Sequence, residues 1–302
     1  MQITEVNTLG ALREVLESEE SRQDDLFRER VMEPLRPVWE NMLRFIPGQA
    51  GAGDPALTAA RMMRLYLPEM GRERGLEALG RLERARVREE NLGALRRAAG
   101  ALRPDEHGAR LSEVHLALTL ADPEGLGEEG YTGAGNTPGW VMVSVWPKEH
   151  NLSRLPAVTA HEFNHNVRFG QPDWTFPIPL GAYLVAEGLA ETFAAELFGP
   201  ESLGLWTTTL GMEELGPLRP RFQAALHEQD FNVVRGYIFG DSVMRQSGQA
   251  NGGGGPGLPP YAGYALGYHV VRDYLARTGR TAAQATYDPW RQIVNGSGWF
   301  TA

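Results

Sequence analysis

His161-Glu162-Phe163-Asn164-His165 is the stretch on which the reading of this chain turns. Histidines four apart lie one helical turn apart on one face, so both imidazoles can reach a single cation. Glu162, next to the first of them, projects into the adjoining cleft, where it can take a proton from a water without itself binding metal. Leu155, Val158, Ala160, Phe163 and Val167 give this helix, expected over about 153–169, a buried apolar face. Two imidazoles and a carboxylate in such a helix cost solvation free energy unless something binds them.

Toward the C-terminus, the next helix, expected over about 181–198, supplies what a catalytic zinc still needs. Such an ion takes three protein ligands and leaves a fourth position for water. Glu187, in Val185-Ala186-Glu187-Gly188-Leu189-Ala190-Glu191, is the candidate third ligand. Glu191 lies one turn further on the same face, placed to accept the free N–H of a ligand histidine. An exchange of roles, with Glu191 on the metal, is the alternative. Leu184, Val185, Leu189, Phe193 and Leu197 make the helix largely apolar, which argues against a solvated face.

A further helix, about 261–278, opens with Tyr261-Ala262-Gly263-Tyr264-Ala265-Leu266-Gly267-Tyr268-His269. Gly263 and Gly267 allow another helix to approach closely, and Tyr264 and Tyr268 share one face. A hydroxyl of either, or the His269 imidazole, can steady the oxyanion formed when water attacks a carbonyl. Gln246 to Pro260, with glycines at 252–255, reads as a loop before it.

Toward the N-terminus, Val114 to Leu120 and Trp140 to Trp146 alternate as strands, separated by a glycine-rich acidic loop from Pro123 to Gly139. If the edge of 140–146 is open, an extended peptide can pair with it. Residues 7–46 read as a helical run broken at Pro34 and Pro37, followed by a loop over 47–55. Helices containing Leu57 to Leu67 and spanning about 76–99 complete a first third in which no chemistry is visible. The expectation is a helical region over 1–110 and a core over 111–302, or one continuous domain. The fold class is α+β and predominantly helical, with a short sheet beside the active-site helix.

The net charge of −9, from 38 acidic and 29 basic residues without segregation, argues against nucleic acid. The absence of cysteine excludes disulfides, thiolate ligands and a cysteine nucleophile. No run of about 18 apolar residues offers a membrane span. The polar, acidic first residues lack the features of a secretory signal, so the expected location is the cytoplasm.

The order of these motifs resembles the YjaZ-type family of predicted zinc-dependent proteases, gluzincin-like members of the thermolysin-type clan. The resemblance covers about residues 110–295, from the glycine-rich loop and strand through the paired histidines, Arg168 and Glu-Gly-Leu-Ala-Glu to Gly-Tyr-Ala-Leu-Gly-Tyr. It implies a zincin-like core and one zinc per chain on His161, His165 and Glu187. It also implies Glu162 as general base, an acidic residue at Glu191, and a peptide or protein substrate. Ala186 stands where thermolysin itself has asparagine. A zinc hydrolase acting on another bond, and a non-catalytic zinc protein on the same fold, are the rival readings.

Overall fold

Val114 to Leu120 forms the centre of a four-stranded sheet in the computed structural model, which describes residues 1–44, 53–109, 111–246 and 256–300. The strands β1 (Gln2–Val6), β2 (Glu113–Leu120), β3 (Tyr131–Ala134) and β4 (Trp140–Val145) stand in the order β1-β2-β4-β3. β2 runs parallel to β1 and to β4, with Leu116 opposite Val141, whereas β3 folds back antiparallel on β4. Parallel neighbours on both sides explain why Leu116 to Leu120 are buried without a break. The hydroxyls of Thr119 and Ser144 satisfy each other across β2 and β4 at 2.6 Å.

Two strands lie where sequence suggested none. β1 is polar and short, and its pairing with β2, not its propensity, makes it a strand. β3 falls inside the glycine-rich loop. Its presence corrects the expectation of an open edge along 140–146: β4 is flanked by β2 and β3, and the free edge on that side belongs to β3.

The helical first third is more finely divided than its periodicity suggests. α1 (Thr8–Glu17) and α2 (Glu20–Phe27) lead through a π turn at Arg28–Met32 to α3 (Arg36–Arg44). α4 (Pro55–Met62) is capped by the Asp54 carboxylate, which accepts the Ala56 N–H at 2.9 Å. It stops short of Leu67 because Arg64 turns left-handed, at φ 56°, and Leu65 bridges to Ala121. α5 (Arg72–Arg84) and α6 (Val87–Leu102) replace the single helix expected over 76–99, with the break at Arg86, φ 52°.

α7 (Leu155–Arg168) carries His161 and His165, and α8 (Leu180–Phe198) carries Glu187 and Glu191. Short helices follow: α9 (Leu205–Thr208), α10 (Met212–Leu215), α11 (Arg219–Ala225), α12 (Phe231–Phe239) and α13 (Asp241–Gln246). After them come the long α14 (Ala262–Thr278), α15 (Ala282–Ala285) and α16 (Trp290–Ser297). The chain is thus α+β and mostly helical. No described helix is long and apolar enough to cross a membrane. The Gly252–Gly255 run lies outside the described residues.

The residues fall into two compact units, Met1–Ala99 with Leu111–Asn166, and Gly100–Arg110 with Val167–Ala302. The first holds the sheet and α1 to α5. The second is built on α8 and α14, which cross where neither helix has a side chain: a Cβ on Gly188 would collide with the Gly267 carbonyl, and one on Gly267 with that of Leu184. Gly263 meets α12 in the same way, at Ile238. The close approach expected of Gly263 and Gly267 is therefore present, toward two different helices.

Candidate metal centre

α7 is held from two sides by polar side chains that its apolar pattern does not advertise. The Thr159 hydroxyl donates to the side-chain Oδ1 of Asn91, on α6, at 2.5 Å, and both residues are buried. Asn166 clasps the turn between β3 and β4. Its Oδ1 accepts the Gly139 N–H at 2.7 Å, and its Nδ2 donates to the carbonyls of Gly135 (2.9 Å) and Trp140 (2.6 Å). Both its amide hydrogens and its oxygen are engaged by the β3–β4 hairpin, so the hairpin and the helix are fixed to each other.

That clasp brings the end of β3 and the chain just after it against Glu162. A Cβ on Gly133 would fall closer than 3.0 Å to the Glu162 carboxylate, and one on Gly135 would strike its backbone oxygen. Glycine is needed at both positions for the strand to pass over the helix here. Glu162 is consequently 8% exposed, with its carboxylate under the edge strand.

His161 and His165 follow from the helical spacing, their rings edge to face with centroids 4.6 Å apart. Ligand atoms of His161, His165 and Glu187 all lie within 4.8 Å of one another, a group that can hold a metal ion. His165 is 6% and Glu187 5% exposed. Two imidazoles and a carboxylate suit zinc, and a carboxylate this deep costs several kcal/mol unless a cation or hydrogen-bond donors compensate it. The residues therefore fit a zinc ion.

Of the two candidate glutamates on α8, Glu187 and Glu191, Glu187 belongs to this group. Glu191 accepts the Trp206 indole N–H at 2.6 Å and the Gly204 backbone N–H at 3.2 Å. Trp206 played no part in the sequence argument. Its ring meets that of Tyr264 edge-on, at 6.3 Å between centroids. Tyr264 also packs against Phe239 and Tyr261. Tyr268 is engaged differently, its ring under the Arg272 guanidinium at 6.0 Å and beside His269. The His269 imidazole has its pKa lowered by burial and, secondarily, by Arg272.

Arg168 closes α7 and is wholly buried. It donates to the carbonyls of Thr286 and Asp288 and to the Asp173 carboxylate, the last at 2.6 Å. Asp173 in turn accepts the Trp290 backbone N–H. The remaining histidines make ring contacts or stay outside the group: His107 stacks on Tyr287, His115 on Trp140, and His227 meets Trp290.

A model described as "Predicted Zn-dependent protease (DUF2268)" matches residues 104–295. The chain belongs to this family. It is 33% identical over 303 residues to the uncharacterized protein YjfC of Bacillus subtilis (strain 168), an alignment that covers all of both chains. No solved structure matches it. The resemblance read from the paired histidines and glutamates is thereby borne out at the level of the family.

Proposed function

We propose that this protein is a zinc-dependent peptidase, with His161, His165 and Glu187 as ligands and Glu162 as general base. The observation that carries the reading is the buried His161, His165 and Glu187 group, with Glu162 held against the edge strand one residue away from a ligand. A zinc ion there would supply Lewis acidity, acidifying water toward a pKa of about 7 and polarising a carbonyl.

The chain's own residues would do the rest. The Glu162 carboxylate accepts a proton from the attacking water and returns it to the departing amine nitrogen. The free edge of β3 pairs with an extended peptide, taking the part that β4 cannot take from the interior of the sheet. Of the two tyrosines, Tyr264 is the better oxyanion donor. It packs against Trp206, which is bonded to Glu191 one turn from Glu187, while Tyr268 lies against Arg272. Glu191 and Trp206 together hold the face of α8 that presents Glu187.

Metal analysis and a peptide-library digestion test this. Wild type should carry about one zinc per chain and cut the library, while Glu162→Gln keeps its zinc and loses about 10²–10⁴-fold in rate. Tyr264→Phe should lower kcat by about 10²-fold, and Tyr268→Phe far less. Protein that never met a chelator yet contains no zinc would end the proposal. Hydrolysis indifferent to Glu162→Gln would remove the general base from it.

A further inference from the structure

Arg235 stands in the middle of α12, with Phe231 one turn before it and Phe239 one turn after. Its guanidinium lies over both rings, 5.4 Å from the centroid of Phe231 and 5.2 Å from that of Phe239. The phenols of Tyr183, on α8, and Tyr264, on α14, are close enough to act on its charge. Tyr264 also packs on Phe239, with centroids 5.7 Å apart.

No carboxylate among the described residues pairs with this half-buried cation, and 45–52, 247–255 and 301–302 contain neither Asp nor Glu. In a chain with 38 acidic residues, the wholly buried Arg168 has such a partner in Asp173. Rings stabilise a guanidinium through their faces but bring no countercharge. Burial presses its pKa below the ordinary arginine value, and the two phenols only partly oppose that. The group is thus a rigid fork of donors, partly desolvated and lacking an anion.

Its place gives the missing anion a role. Tyr183 precedes Glu187 by one turn of α8, about 6 Å along the axis. Tyr264 is tied through Trp206 to Glu191, one turn beyond Glu187. The Phe231 wall is 55% exposed, so the guanidinium is approached from solvent along an aromatic face.

We propose that Arg235 binds a carboxylate of the substrate, making this a site for peptides that carry an anionic group near the cleaved bond. The peptide identity of the ligand rests on the peptidase reading; the carboxylate does not. Guanidinium and carboxylate pair through two parallel hydrogen bonds. The anion is either an acidic side chain or a terminal carboxylate, which share this chemistry.

Calorimetric titration with 3-phenylpropanoate and with its uncharged amide tests the site without any cleavage, on wild type, Arg235→Gln and Arg235→Lys. Wild type should prefer the acid by about tenfold or more, before and after chelation of metal. Arg235→Gln should erase the preference, and Arg235→Lys should keep part of it, since a lysine retains the charge without the fork. Equal binding of acid and amide by wild type, or a preference that survives Arg235→Gln, overturns the proposal. The wild-type comparison stands even if a variant folds poorly.

Digestion of matched peptide pools then separates the two sources. A kcat/KM advantage for free over amidated C-termini identifies the terminal carboxylate. An advantage for Asp and Glu over Asn and Gln identifies the side chain, and either should collapse toward unity in Arg235→Gln. Pools left uncut by a protein that still prefers the acid would sink the peptidase reading and leave the carboxylate site standing. Pools cut by a protein that binds acid and amide alike would do the reverse.

Discussion

Arg168 shows how much a single side chain can carry when it has no access to water. Its guanidinium ends α7, spans to two carbonyls near α16 and pairs with Asp173, which also holds the first backbone N–H of α16. Removing one member of a buried pair leaves the other charge uncompensated, at about 3–5 kcal/mol. Arg168→Met should lower the urea midpoint accordingly without changing the m-value, as read by circular dichroism. At this scale the group that can hold a metal was legible in part. Helical spacing puts His161 and His165 on one face, but it left Glu187 and Glu191 as alternatives, and only the fold brings Glu187 into the group. Asn166 and Trp206 were not legible. Their roles depend on which backbone amide or carboxylate the fold brings to them, and no local pattern records that.

At the scale of elements, the informative contacts are those made by absent side chains. α8 and α14 meet backbone to backbone at Gly188 and Gly267, and Val271 packs beside Gly188. Gly267→Val would force the helices apart and should cost about 1–3 kcal/mol, a loss visible as a lower Tm. On the proposed reading, Glu187 adjoins Gly188, and the same variant should also bind zinc more weakly in a competition titration with a chromogenic chelator. The long helices were readable from their 3.6-residue periodicity, and β2 and β4 from their alternation and the prolines that follow them, Pro123 and Pro147. β1 was hidden because only Ile3 and Val6 of its residues are apolar. β3 was hidden because Gly133 suppresses strand propensity while leaving room for Glu162. The break between α5 and α6 has no glycine or proline to announce it; an arginine takes the left-handed turn.

For the molecule as a whole, one buried imidazole should make acid destabilising. His269 is held below its ordinary pKa of 6.5 by burial, with Arg272 adding to the effect and Asp273 opposing it. As the pH falls below that value the unfolded chain takes up the proton first, so stability is lost down to the folded-state pKa. Urea titrations at pH 8, 7, 6 and 5 should show a shallower decline for His269→Gln than for wild type. An unchanged slope would mean that other groups govern the acid limb.

β3 offers only Tyr131 to Ala134 at its free edge. Each main-chain hydrogen bond adds about 0.5–1.5 kcal/mol net, and a strand this short makes few of them. On the proposed reading, a peptide laid along it is held briefly and with little regard for its side chains. Fragments would leave quickly after cleavage, and selectivity among substrates would have to come from beyond the strand.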